Sequence, residues 1–322
     1  MNVMTELPLV TIVTPSFNQG RFIRETIESV LSQDYPRLEY IVVDGGSTDD
    51  TLDILRSYGE RIAWVSEPDR GQSHAINKGF RRASGEILAW LNSDDTYLPG
   101  AVSASVAFLQ QHPEIDLVYG DVQPIDENGH VLRERACGKP FSLHTLLTDF
   151  WMIPQPTAFF RRELLDKVGL LNENLHYFLD PDLWIRIALH GKGQYLPGLR
   201  AKGRLHKDSK TVAQQLGFWE ERKLVLDELY RRSDLPEEAL AAKQEAYAHC
   251  ELYWGENLLR IGKRKEAQQH LRYALHTHPR PGKRLVALLL LVDSLFGTHF
   301  TSAGRKVRDA IASPRAIRGT LR

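Results

Sequence analysis

Asn92-Ser93-Asp94-Asp95 closes the apolar run of residues 87–91, so a short strand delivers two adjacent carboxylates onto one loop. Neighbouring carboxylates repel unless a proton or a cation neutralises them, and a divalent ion shared with a substrate diphosphate is one solution. A solvated turn, or a cap on a helix beginning near Leu98, uses the same residue types. A second acidic loop, Asp180-Pro181-Asp182, runs into a segment where Leu183, Trp184, Ile187 and Ala188 share a helix face. Pro181 suits a first helical turn and Asp180 the cap before it.

The elements that must position these groups repeat one grammar: an apolar run, a polar loop bearing Gly or Pro, then helical spacing. Residues 9–13 run into Thr14-Pro15-Ser16-Phe17-Asn18, after which Phe22, Ile23, Ile27, Val30 and Leu31 fall on one face. Residues 38–43 run into Asp44-Gly45-Gly46-Ser47, and a helix carrying Leu52, Ile54 and Leu55 follows. Residues 62–65 run into Glu67-Pro68-Asp69-Arg70-Gly71, with a helix expected over residues 73–82. With residues 87–91 this gives four strands whose carboxyl ends all carry polar loops, and open parallel sheets bind ligands outside those ends.

With these ordered motifs, and with Gly71-Gln72-Ser73, Ala75 and Asn77 beside them, the first two thirds of the chain resembles a family 2 glycosyltransferase. The fold this implies is α/β: the GT-A nucleotide-sugar-binding fold, a mostly parallel sheet with flanking helices, here followed by an α-helical C-terminal region. The resemblance implies nucleotide-sugar contacts at Pro15, Ser16, Asp44, Arg70, Gly71, Gln72, Asn77, Asn92 and Asp94. The Asp44 carboxylate would accept from a uracil or thymine imide N–H, and Arg70 would face the diphosphate. Asp94 and Asp95 match the family's Asp-x-Asp metal element, with Mg2+ or Mn2+ as cofactor, although Asn92 stands where an Asp is common. His206, in Arg204-Leu205-His206-Lys207, matches a closing loop whose His helps hold diphosphate or metal. Gln155, Pro156 and Asp182 fall on the acceptor side, and Asp180 matches the general base, with Leu179 replacing the Glu that often precedes it.

The reaction so implied is a single in-line displacement with inversion at the anomeric carbon, from a UDP- or dTDP-sugar to a hydroxyl of a cell-surface glycan or lipid-linked acceptor. The Gln-x-x-Arg-Trp element of processive synthases is missing around residues 215–219, so one sugar per encounter is expected. Two other readings stay open. A nucleotidyltransferase also uses carboxylate-bound metal on an α/β sheet, but residues 14–20 lack its Gly-rich basic loop. A glycan-binding scaffold that had lost turnover would explain Asn92 and Leu179.

Lys plus Arg number 41 against 41 Asp plus Glu, so no global basic signal points to nucleic acid. Cys137 and Cys250 lie far apart, which argues against a disulfide framework or zinc site. Neither a leader peptide nor a spanning run is visible, and a cytoplasmic location is expected, with the inner face of the cell membrane as an added possibility.

The texture changes near Thr211, which divides a glycosyltransferase domain, residues 1–211, from a helical extension, residues 212–322. Residues 245–279 resemble one tetratricopeptide-type helix pair, with Gly255, Ala267, Ala274 and Pro279 at its small and terminating positions. Residues 284–297 form an apolar segment too short to span a bilayer, flanked by basic residues, which suits either a membrane-surface helix or a buried core helix.

Overall fold

The computed structural model describes residues 7–135, 138–149, 153–206 and 215–296. Cys137, Lys207, Thr211 and residue 297, all named above, lie outside them. The chain divides into two compact units: Met1–Leu146 with Phe150–Ala213, and Leu147–Asp149 with Gln214–Arg322.

The first unit is built on a mixed sheet. Strands β1 (Val10–Ser16), β2 (Leu38–Asp44), β3 (Ala63–Ser66) and β4 (Ile87–Trp90) pair in parallel in the order β3-β2-β1-β4. Helices α1 (Ile23–Leu31), α2 (Thr51–Ser57) and α3 (Gln72–Arg82) connect them. Beyond β4 the order continues β7 (Phe159–Arg161), β6 (Leu117–Ile125), β8 (Gly193–Arg204) and β5 (Thr96–Tyr97). Here β7 is antiparallel to both neighbours, β6 and β8 are parallel, and β5 pairs antiparallel with β8.

Every residue of β1 and β4 is buried, as expected of strands covered on both faces, and this explains their unbroken apolar runs. Pro15 is tolerated in this central strand because β4 stops at Trp90, opposite Val13, so no ladder N–H is required of residue 15 on that side. The order reverses between β1 and β4, with β2 and β3 on one side, so the loops after β1 and β4 splay around a crevice at their carboxyl ends.

Helices α4 (Ala101–Gln111), α6 (Glu163–Val168) and α7 (Leu179–His190) complete the unit, and α5 (Leu143–Thr148) begins in it and ends in the second. Trp184 of α7 stacks on Trp90 of β4, ring centroids 5.4 Å apart, with Phe160 edge-on to both. Such large rings bury roughly 150–250 Å² each, so this contact fixes α7 firmly against β4. Asp180 lies one turn before Trp184 and Asn92 two residues after Trp90, so the two acidic loops share one aromatic anchor.

The second unit contains α8 (Gln215–Leu229), α9 (Glu237–Arg260), α10 (Arg264–Thr277) and α11 (Pro281–Phe296). α9 and α10 run antiparallel: Gln244 Nε2 donates to Thr277 O at 2.8 Å, and a Cβ on Gly255 would lie 2.7 Å from Leu271 Cγ. Ala267, Leu271 and Ala274 are fully buried in that seam, in one apolar cluster with Leu252 of α9 and with Val286, Ala287 and Leu290 of α11. No helix among the described residues is long and apolar enough to cross a membrane.

Candidate active site

The loop after β4 is locked by a residue the sequence did not single out. Arg204, buried at the end of β8, donates from its backbone N–H to Asp95 Oδ1 at 2.9 Å and from Nε to Asp94 O at 2.9 Å. The rest of its guanidinium reaches the carbonyls of Asp126 and Glu127 and pairs with Glu25. Thr26 Oγ1 on α1 shares its proton between Ser93 O and Asp95 O, at 2.9 and 2.8 Å. The acidic loop is therefore held through its backbone carbonyls and the Asp95 side chain, which leaves the Asp94 carboxylate to be aimed independently.

The two carboxylates are aimed differently. Asp95 is buried, and burial together with the neighbouring Asp94 charge pushes its carboxyl well above the usual carboxylate range, against the opposing pull of Arg204 and the Asn92 amide. Asp94 Oδ2 instead meets His206 Nε2 at 3.0 Å. The His206 ring is itself held by Phe22, ring centroids 5.0 Å apart. No group of three or more His, Cys, Asp or Glu side chains suited to a metal exists among the described residues. The Asp94–His206 pair does fit a divalent ion completed by other ligands: two neighbouring ligands about 2.1 Å from an octahedral centre stand roughly 3 Å apart, and a carboxylate with an imidazole suits a transition ion such as Mn2+ better than Mg2+, which prefers oxygen ligands.

On the other flank, Asp44 is fully buried at the end of β2. Its carboxylate accepts from Gly46 N at 3.0 Å, Ser47 N at 2.9 Å and Ser66 Oγ at 2.7 Å, and from the Ser47 hydroxyl. It thus ties the β2 and β3 loops together. Beside it Ser16 Oγ is buried with no hydrogen-bond partner. A buried hydroxyl in that condition costs free energy unless something arrives to meet it. Gly45 lets Asp69 approach, since a Cβ there would lie 2.6 Å from Asp69 Oδ2, and Gly71 adopts φ 116° with its N–H bonded to Asp69 Oδ1 at 2.7 Å.

Several expected donor contacts are engaged elsewhere. Asn77 is buried, its Nδ2 donating to Leu171 O at 2.9 Å and to Glu173 Oε1 at 3.1 Å, and its Oδ1 accepting from Leu171 N at 3.0 Å. Ser73 Oγ donates to Leu175 O at 2.8 Å. Both side chains pin the loop that leads into α7, because on α3 they face that loop. Arg70 pairs with Glu173, as does Arg81 at 3.3 Å. The Asn77 amide, then Arg70 and Arg81, bring the Glu173 carboxyl down to about 2.

A chain of amides crosses the crevice. Gln72 Nε2 donates to Asn92 Oδ1 at 2.8 Å, Asn92 Nδ2 to Gln155 Oε1 at 3.2 Å, and Gln155 Nε2 to Trp90 O at 2.8 Å. Pro156 follows in the 3-10 turn Gln155–Thr157. Asn92 therefore joins the first turn of α3 to the segment before β7, a link that needs an amide, since a carboxylate cannot donate.

At α7 the structure corrects the capping expectation. The helix begins at Leu179 with Phe178 at the cap, so Asp180 sits inside the first turn, half-buried, and Pro181 follows it there. Asp182 is drawn to Arg186, whose Nε and Nη2 donate to its Oδ2 at 3.0 and 2.8 Å. Asp121, buried in the middle of β6, accepts from Tyr195 Oη at 2.6 Å and from the Gly138 and Gly198 N–H groups, anchoring β8 to β6.

Comparison with known proteins settles the family. The profile of glycosyl transferase family 2 matches residues 11–169. An uncharacterized glycosyltransferase of Rickettsia prowazekii is 32% identical over 227 residues, covering 66% of this chain and 70% of the relative. This chain belongs to glycosyl transferase family 2. A family 2 relative named as a PGL/p-HBAD biosynthesis glycosyltransferase, from Mycobacterium bovis, is 33% identical over 184 residues, 56% of this chain and 69% of its own. In fold, the chain is similar to Staphylococcus aureus TarS 1-349 in complex with UDP-GlcNAc, with TM-score 0.66, 18% identity and coverage of 94% of this chain and 91% of that one. It is similar too to mannosyltransferase PcManGT from Pyrobaculum calidifontis in complex with GDP-Man and Mn2+, with TM-score 0.62, 23% identity and coverage of 96% and 87%. The enzyme is thus a glycosyltransferase on the GT-A fold with an added helical region.

Proposed function

We propose that this glycosyltransferase moves a sugar, with inversion and with help from a divalent metal, from a UDP- or dTDP-sugar to a hydroxyl of a cell-surface glycan or lipid-linked acceptor. The observation that carries this reading is the approach of His206 Nε2 to within 3.0 Å of Asp94 Oδ2 across 112 residues of chain. Asp94 and His206 would hold the ion, whose positive charge would offset the leaving diphosphate. The protein's own work is then positioning. Ser16, Gly71 and Gln72 line the nucleotide side, with Asp44 setting the loops around it, while Gln155 and Pro156 shape the acceptor side. Asp180, held by α7 on the Trp90 anchor, accepts the acceptor hydroxyl's proton as that oxygen attacks the anomeric carbon.

Structures of TarS with UDP-GlcNAc and of PcManGT with GDP-Man and Mn2+ make the nucleotide the open variable. Calorimetric titration of the full chain with UDP, dTDP and GDP, each with and without Mn2+ or Mg2+, tests the reading. Metal-dependent binding of UDP or dTDP is expected. Binding of GDP alone would overturn the donor assignment, and binding indifferent to metal would overturn the role of Asp94 and His206.

A further inference from the structure

The N-terminal mouth of α11 is charged the wrong way for a helix start. Arg280 precedes the helix, Lys283 and Arg284 lie in its first turn, and its only acid, Asp293, is buried near the far end. The positive end of a helix dipole disfavours cations, and cations three or four residues apart repel one another. Arg280 meets a carboxylate, Glu245 at 2.6 Å. Among the described residues Lys283 and Arg284 pair with none: Lys283 Nζ donates to Tyr253 Oη at 2.9 Å, and Arg284 Nε donates to His278 O.

Behind these cations stands a pair of histidines. His278 is fully buried, and its ring centroid lies 6.3 Å from that of His249 on α9, itself buried and 4.5 Å from the Tyr253 ring. His278 Nδ1 accepts the Arg280 N–H at 3.2 Å, so the neutral ring carries its hydrogen on Nε2, and that buried donor has no hydrogen-bond partner. Burial, then Lys283, Arg280 and Arg284, keep the ring neutral near pH 7.

The chemistry of this cluster selects the sign of its ligand. A metal ion would need a lone pair on Nε2, where the hydrogen sits, and would face three cations. An anion meets every need at once: an acceptor for the Nε2–H, a counter-charge for Lys283 and Arg284, and a negative group at the positive end of α11. His278 closes the floor while Arg280 and Arg284 stand exposed at the rim, so the entering group must present several oxygens from one end. A terminal phosphoryl group offers three, whereas a diester gives up one more to carbon.

We infer that the N-terminus of α11, with His278 behind it, binds a terminal phosphoryl group, as free phosphate or as a phosphate monoester. The inference stands on the helical unit alone and does not depend on the donor, metal or base assignments. Its test is calorimetric titration of the full chain, without metal or nucleotide, with inorganic phosphate, glycerol 3-phosphate and dimethyl phosphate at an ionic strength held constant with NaCl. The first two should bind, and dimethyl phosphate at least about tenfold more weakly. Lys283→Gln, at a half-buried position, should weaken phosphate binding at least about tenfold, whereas Arg272→Gln, which removes an equal charge from an exposed position of α10, should leave it unchanged. A second readout separates a ligand site from a structural cation. Phosphate should raise the thermal midpoint of the wild type but not of Lys283→Gln, and without phosphate that variant should melt no lower than the wild type, because a repelling charge is gone. Tighter binding of glycerol 3-phosphate than of inorganic phosphate would support the inference with a monoester as ligand, and the opposite order would support it with free phosphate. Absence of phosphate binding by the wild type, or tighter binding of dimethyl phosphate, would overturn it. So would equal phosphate binding by Lys283→Gln, which would place the anion elsewhere on the chain.

Discussion

Asp94 and Asp95 are neighbours with different surroundings, and that difference separates their roles. Asp95 Oδ1 is taken by the Arg204 N–H, whereas Asp94 turns its carboxylate to His206. We expect Asp94→Asn or His206→Ala to weaken metal-dependent nucleotide binding by at least about tenfold, or ~1.4 kcal/mol, in calorimetry. Asp95→Asn, which can still accept from Arg204, should lose less; the reverse ranking would move the metal role to Asp95. Asp180→Asn should lower turnover by roughly a hundredfold or more while sparing nucleotide affinity, and a fully active variant would remove Asp180 from the chemistry. At Asn92 the wild-type amide both accepts and donates. Asn92→Asp restores the commoner family residue yet sets two acceptors face to face at Gln155, so it should cost about 1–3 kcal/mol in urea unfolding. An unchanged midpoint would mean that the amide chain adds nothing to stability.

At the scale of elements, the apolar runs of β1, β2 and β4 and the helix faces between them are readable in the sequence because strands buried on both sides tolerate little else. β8 is not readable. Its sequence, Gly193–Arg204, mixes Gly, Pro, Lys and Arg without alternation, because its pairing with β6 shifts register between Tyr119 and Val122 and its faces are unevenly covered. That one strand carries Arg204, so the clamp on the acidic loop was invisible for the same reason. The orientation of Ser73 and Asn77 was equally hidden: their loop partners at residues 171–175 lie some hundred positions away, and nothing in local spacing reports them. Where α3 crosses β1, a Cβ on Gly79 would lie 2.3 Å from Val13 Cγ1. Gly79→Val should therefore force the helix off the strand, lowering stability by about 2 kcal/mol or more and nucleotide affinity with it, as read by thermal unfolding and titration. A neutral effect on both would show that α3 has room to slide.

At the scale of the whole molecule, two buried histidines of the helical unit set the sensitivity to mild acid. His278 is fully buried, its Nε2 has no hydrogen-bond partner, and burial, then Lys283, Arg280 and Arg284, bring it down to about 4. Burial and Arg222, Lys283, His278 and Arg280 also hold His249 well below its ordinary value. A folded histidine harder to protonate than the unfolded one, near 6.5, means that the unfolded chain gains protons first as pH falls. Stability should be full above about pH 6.5 and decline between there and pH 4, by on the order of 2 kcal/mol at pH 5 for His278 alone. Urea midpoints that stay level from pH 7 to pH 5 would contradict the buried neutral state.

The grip of Arg204 also has a meaning in time. Synthesis delivers Asp94 110 residues before the guanidinium that seats its loop, and Glu25 179 residues before. A nascent chain can therefore assemble the first four parallel strands early, since their pairings are comparatively local, yet its acidic loop stays unclamped. Competence to hold nucleotide should arise abruptly, once translation has passed His206, and a chain released before that point would have the sheet without the site.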